Sequence, residues 1–221
     1  MVEASHIRKC YGKRRILDDI SFQAKCGESV VIVGRNGCGK TTLMQILAGV
    51  DCFEEGSLCY FENVMRNGDR KFRTFCGYVP QNLPLLEELT VKDNLKLWGV
   101  IASPQYEKIK DSFQLEEILK MEVRKLSGGM KRRLAIACAL AEWPPILLMD
   151  EPTTALDLHY KQLIQLWIEE YKKMNGIVIF TSHDEKEIMG ADRCLLMQDG
   201  KLTELPKEKQ NIEYIKEQML Q

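Results

Sequence analysis

Val30-Val31-Ile32-Val33-Gly34-Arg35-Asn36-Gly37-Cys38-Gly39-Lys40-Thr41 joins an uninterrupted apolar run to a loop that satisfies G-x-x-x-x-G-K-[ST] in full. The run is what a strand covered on both faces requires. A helix is expected to follow over Lys40 to Ala48, ended by Gly49. Glycines let consecutive backbone N–H groups turn inward around phosphate oxygens, and the helix N-terminus adds a favourable dipole. Lys40 supplies a point charge for terminal phosphates, and the Thr41 hydroxyl can ligate Mg²⁺. The bland alternative is a Gly-rich turn with a surface lysine. Such a match arises by chance in about one chain in a hundred of this size, and the strand–loop–helix setting lowers that further. Gly34, Asn36, Gly37, Cys38, Gly39, Lys40, Thr41 and Thr42 are therefore candidate phosphate contacts.

Outward from this loop the chain changes character twice. Before it, short apolar segments near Ile7, Ile16 to Phe22 and Ser29 to Val33 are broken by Tyr11-Gly12 and Cys26-Gly27-Glu28, a β pattern. Further strands are expected near Ser57 to Phe61 and Phe75 to Val79. From Asn82 to Lys125 the pattern is helical: Val91, Leu95 and Trp98 share one face, and Phe113, Leu115, Ile118 and Leu119 read as another short helix. A helix over Met130 to Ala141 follows, stopped by Pro144-Pro145. Strands at Ile146 to Met149, Ile177 to Phe180 and Cys194 to Met197 then alternate with helices at His159 to Met174 and Glu185 to Met189. Such alternation implies a parallel sheet covered by helices. Over Lys207 to Leu220, Ile212, Ile215 and Met219 fall on one face of a terminal helix docked on the core.

A bound triphosphate needs a metal carboxylate and a group that positions water. Asp150 ends the strand at Ile146 to Met149, at the carboxyl edge where ligands sit in open α/β sheets. Glu151 follows at once, placed to polarise an attacking water. Alone, an Asp-Glu pair after a strand is ordinary turn chemistry; beside a phosphate loop the functional reading wins. Leu126-Ser127-Gly128-Gly129 opens a helix shortly before Asp150 and forms a second anion cradle from a Ser hydroxyl and Gly N–H groups. An isolated Ser-Gly-Gly would be simple capping.

Two cradles ahead of one metal carboxylate resemble the ABC ATPases, whose LSGGQ signature is LSGGM here. The resemblance covers nearly the whole chain. It implies that Tyr11 stacks on adenine, that Gln81 senses metal and attacking water, and that Asp150 is the metal carboxylate with Glu151 the catalytic one. It further implies a D-loop at Thr154-Ala155-Leu156-Asp157 and a switch histidine at His183. Catalytic roles fall on Glu151, His183, Gln81 and Lys40, and metal contacts on Thr41, Gln81 and Asp150. The implied fold is α/β: a P-loop NTPase (RecA-like) core with an antiparallel β subdomain and an inserted α-helical subdomain. One ABC ATPase domain would span residues 1–221, with the β part and core at 1–81 and 131–221 and the helical part at 82–130. ATP and Mg²⁺ are the implied ligands. Two chains would pack head to tail, Ser127, Gly128 and Gly129 of one facing the ATP held by Lys40 of the other, in a homodimer or with a second ABC ATPase. Met130 replaces the signature glutamine, from which a modest change in ATP sandwiching is expected.

Composition limits the alternatives. The 221 residues carry 31 Lys plus Arg and 32 Asp plus Glu, a formal charge of −1, which argues against a general nucleic-acid coat. The basic run Arg8, Lys9, Lys13, Arg14, Arg15 offers a phosphate-binding patch as one reading, and solvated strand or turn surface with a local role near an anion as the preferred one. The longest apolar stretch, Leu134 to Ala141, has eight residues against the roughly 20 of a spanning helix. The N-terminus lacks the apolar run of a signal peptide. Eight cysteines without a C-x-x-C pair read as small hydrophobes in a reducing compartment. The expected place is cytoplasmic, peripheral to the membrane through a transmembrane permease on a separate chain. The stretch Leu85-Leu86-Glu87-Glu88-Leu89-Thr90-Val91 with Asn94-Leu95 resembles ATPase subunits of export systems. An ATPase powering an exporter is the leading reading; a soluble ABC ATPase acting on ribosomes or DNA is the alternative.

Overall fold

The computed structural model describes residues 1–154 and 156–220 and, within them, every side chain except those of Ile212, Met219 and Leu220. In chain order the elements are β1 (Val2–Tyr11), β2 (Arg14–Ala24), β3 (Ser29–Gly34), α1 (Lys40–Leu47), β4 (Glu55–Tyr60), β5 (Asn63–Met65), α2 (Phe72–Phe75) and β6 (Cys76–Val79). Then follow α3 (Val91–Leu97), α4 (Tyr106–Ser112), α5 (Gly128–Ala139), β7 (Ile146–Asp150), α6 (Leu158–Lys173), β8 (Ile177–Thr181), α7 (Glu185–Gly190), β9 (Arg193–Gln198), β10 (Lys201–Leu205) and α8 (Ile212–Leu220).

The 30–33 run lies inside a six-stranded sheet of order β10-β9-β3-β8-β7-β6, parallel except for the β10 edge. Side chains alternate along a strand, so Val31 and Val33 enter a core shared with α5 and α6. Val30 and Ile32 enter a second core, shared with α1 and an antiparallel sheet of order β2-β1-β4-β5. A sheet covered on both faces needs no polar alternation, which is why its central strands read as unbroken apolar runs.

The smaller sheet carries the β1–β2 hairpin over the phosphate loop. Its burial pattern changes phase at a bulge: Val2 and Ala4 are buried, then Ile7, with His6 between them at φ 55°. The facing strand bends at Asp19, φ 69°, and His6 Nδ1 meets Asp19 Oδ1 at 2.6 Å. At the far end of β3, Ser29 donates its N–H (2.7 Å) and hydroxyl (2.8 Å) to Asp192, which also pairs with Lys172 at 2.8 Å. Burial opposes the charge of Asp192, but these partners outweigh it and hold the carboxyl below its ordinary range.

Between β6 and β7 the described chain holds helices, turns and one isolated bridge, Thr90 to Glu122. Here the structure departs from the sequence pattern. Val91 and Leu95 are buried, but Trp98 is the C-cap of α3, just before Gly99 (φ 81°), and remains 42% exposed. No helix spans 113–119: Phe113 caps α4, Gln114 takes φ 49°, and Glu116–Ile118 form a 3₁₀ turn. Phe113, Leu115 and Ile118 are buried all the same. The signature helix begins at Gly128, because Ser127 caps it by accepting from Met130 N (3.3 Å), and it ends at Ala139, ahead of Pro144. The C-terminal helix starts at Ile212; Lys207 opens a separate 3₁₀ turn. Ile215 is buried, whereas the side chains of Ile212 and Met219 lie outside the described set. β5, α2 and β10 have no counterpart in the sequence pattern. No helix among the described residues is long and apolar enough to cross a membrane.

Candidate active site

β3, β8, β7 and β6 are parallel, so their carboxyl ends open along one edge of the sheet. There a cleft of about 470 Å³ is lined by Asn36, Gly37, Gly39, Lys40, Thr41 and Thr42 of the loop and first turn of α1. Gln81, Glu151 and His183, which follow β6, β7 and β8, line it too. Arg14, one of the five cations of the basic run, and Ile16, both of β2, complete it.

The loop is built to bring backbone close to a ligand. A Cβ on Gly34 would stand 2.3 Å from Met197 O and 2.8 Å from Cys38 Sγ, so no side chain fits. Gly37 and Gly39 take φ 78° and 111°, values that favour glycine. Cys38 turns its sulfur toward Gly34 and does not line the cleft; burial pushes its thiol up, against the opposing effect of Lys40. Lys40 is buried and donates to Gly34 O at 2.8 Å and Arg35 O at 3.1 Å.

Beneath the loop a chain of bonds fixes the acidic residues. Thr41 Oγ1 donates to Asp150 Oδ2 at 2.7 Å, and Thr181 Oγ1 donates to Asp150 Oδ1 at 2.7 Å. Thr181 also accepts from Glu151 N at 2.9 Å, tying the ends of β7 and β8 together. Glu151 takes φ 50°, an uncommon conformation for a non-glycine residue. Its carboxylate accepts from Gln81 Nε2 at 3.3 Å and from Thr154 Oγ1 at 3.0 Å, and lies 3.6 Å from His183 Nε2. Burial and the nearby Lys40 push the His183 pKa down, and Glu151 partly offsets them. Arg132 of α5, buried, donates to Pro80 O at 3.1 Å and anchors the segment that carries Gln81.

Thr181 and Arg132 carried no signal in the sequence, since each acts through a partner far away along the chain. The hydroxyl of Thr41, the carboxylate of Asp150 and the amide oxygen of Gln81 are hard oxygen donors, a set that suits Mg²⁺.

Gly34, Cys38 and Asp150 are not among the lining residues, and two further groups of sequence candidates stand outside the cleft. Tyr11, half exposed at the end of β1, donates its hydroxyl to Asp51 and has Lys9 Nζ 4.9 Å from its ring centroid. Ser127, Gly128 and Gly129 lie at the start of α5, with Ser127 and Gly128 exposed. A Cβ on Gly128 would meet nothing within 4 Å, whereas one on Gly129 would come within 2.5 Å of the Tyr160 ring. Met130 packs against the larger core. Ala155 lies outside the described residues.

A family model described as ABC transporter matches residues 17–154. The chain is 35% identical over 215 residues to a lipoprotein-releasing system ATP-binding protein of Porphyromonas gingivalis, covering 91% of this chain and 98% of that one. It is 32% identical over 218 residues to a sulfate/thiosulfate import ATP-binding protein of Pseudomonas aeruginosa, covering 92% of this chain and 66% of that one. Among solved structures, a dimeric ATP-binding cassette in a post-hydrolysis state with ADP and Pi superposes with a TM-score of 0.85 at 27% identity, over 94% of this chain and 99% of that one.

Proposed function

The chain belongs to the ABC transporter family, as an ATP-hydrolysing nucleotide-binding subunit, and from that premise we propose a role for each residue of the cleft. The loop N–H groups from Gly34 to Thr42, with Lys40, hold the phosphates. Thr41, Asp150 and Gln81 would hold Mg²⁺, which would neutralise charge on the terminal phosphates. Glu151 accepts the proton of the attacking water, and neutral His183 orients the terminal phosphate. The observation that carries this reading is the bonded set Thr41–Asp150–Thr181–Glu151, which presents one carboxylate to the loop and a second one residue beyond it. Tyr11 offers its ring to the base from the rim.

Ser127, Gly128 and Gly129 serve the ATP of a second cassette, head to tail. Open space around Gly128 supports this, as does the dimeric state of the structural relative. Met130 is partly buried against the core, so its side chain does not take over the cross-dimer bond of a glutamine.

The cassette works as one domain, with the helical part at 82–130 meeting a transmembrane permease on a separate chain at the cytoplasmic face. Leu86, Leu89, Leu97 and Trp98 are exposed there, more large apolar side chains than a freely solvated segment normally holds. Export is the direction we propose, on the strength of the Leu85–Leu95 stretch and the nearly full-length likeness to a lipoprotein-releasing protein.

Glu151→Gln tests the assignment of the base. It keeps size and most hydrogen bonds but removes basicity, so single-turnover hydrolysis should fall by about 10²–10⁴ with MgATP affinity retained. Hydrolysis at the wild-type rate would refute the assignment.

A further inference from the structure

The cations of the β1–β2 hairpin are not equivalent. Arg8 pairs with Glu55 at 2.7 Å, Lys9 with Asp51 at 2.8 Å and Arg15 with Asp18 at 3.0 Å. Arg14 and Lys13 are in none of the ion pairs formed among the described residues, and of these two only Arg14 lines the cleft.

The topology says which side of the cleft Arg14 occupies. Gln81, Glu151 and His183 follow β6, β7 and β8, which lie to one side of β3 in the sheet. β2 joins on the other side: Asp18 N donates to Gly200 O at 2.7 Å, in the turn between β9 and β10. Ile16 lines the cleft beside Arg14, and a Cβ on Gly39 would come within 3.2 Å of its side chain. The terminal phosphate belongs with Glu151, where water attacks. The β2 side is left for the nucleoside end, with an apolar surface at Ile16 and a cation at Arg14. We propose that Arg14 is a nucleotide ligand, its guanidinium bonding the phosphate next to the ribose. This rests on the reading of the cleft as the nucleotide site.

A ligand to that phosphate is felt by ATP and ADP alike, whereas one on the terminal phosphate is felt by ATP alone. Calorimetric titration of the whole chain with MgATP and with ADP separates the two, using Arg14→Gln, Arg14→Lys, Lys13→Gln and Lys40→Ala. Lys13 and Arg14 are exposed, so the melting curves of their variants should superpose on that of the wild type. Arg14→Gln should weaken both nucleotides by the same factor, roughly tenfold, with partial recovery in Arg14→Lys. Lys13→Gln, which removes the same charge one residue earlier in the adjoining turn, should stay within about twofold of the wild type. The proposal is overturned if Arg14→Gln binds both nucleotides normally or loses ATP alone. It is equally overturned if Lys13→Gln loses as much, which would mark a diffuse field. If Lys40→Ala leaves ATP affinity unchanged, the cleft itself is misread and the inference goes with it.

Discussion

At the scale of single residues, Lys40 shows how the site is prepared. Two of its three N–H groups are engaged by Gly34 O and Arg35 O, which holds the ammonium over the loop. Lys40→Ala removes both the charge and the donors, and MgATP affinity should fall by roughly 10²-fold, as measured by calorimetry. Unchanged affinity and turnover in a folded variant would contradict its role. His183 gives a pH test. Burial and the Lys40 charge hold its pKa below the ordinary value near 6.5, against the pull of Glu151. The folded chain therefore binds this proton less tightly than the unfolded chain, the ring is neutral at pH 7, and stability falls as pH drops below about 6.5. In NMR titration its midpoint should lie under 6.5 and rise in Lys40→Ala; a midpoint that ignores the lysine would show that burial alone sets it.

Elements explain what was legible in the sequence. A strand covered on both faces is written as a continuous apolar run, so β3, β7 and β8 could be read residue by residue, and with them Lys40, Asp150 and Glu151. Edge strands leave a fainter trace. β10 buries only Leu205 among its five residues, and β5 has three residues in all. The 113–119 segment misled because its buried positions are held by a turn at Gln114, whose left-handed backbone has no apolar signature. Arg14 was illegible for another reason: a run of five cations does not say which of them has a carboxylate across the sheet. The start of α5 separates packing from partner contact. Gly129→Ala drives a methyl into Tyr160 and should cost about 1–3 kcal/mol of stability, whereas Gly128→Ala enters open space and should stay within about 1 kcal/mol. Chemical denaturation checks both; equal losses would mean that the ring of Tyr160 yields freely. If the helical part docks a permease as proposed, Leu86→Asp should weaken that assembly in a pull-down and spare basal hydrolysis. Leu86 is the cleaner choice over Leu85, which packs against the core. Intact assembly with failed hydrolysis would move the docking surface elsewhere.

For the whole molecule, Ser127, Gly128 and Gly129 do not line the cleft that holds Lys40, and in the proposed head-to-tail arrangement a second chain closes each cleft. With hydrolysis blocked by Glu151→Gln, MgATP should shift the chain to a dimer in size-exclusion chromatography, while the wild type stays largely monomeric. An inactive variant that binds ATP yet remains monomeric would put the sandwich in doubt, with Met130 or a missing permease as the first suspects. The same sheet has two ends of opposite character. At one, Ser29, Lys172 and Asp192 lock the strands by side-chain bonds that touch no ligand position; at the other, the strand ends carry Lys40, Asp150, Glu151 and His183. Inheritance therefore acts on two separable traits. Substitutions at the locked end should erode heat tolerance before turnover, whereas Glu151→Gln at the open end should cost turnover before heat tolerance, so a lineage can retune its catalytic speed with little renegotiation of how it stays folded.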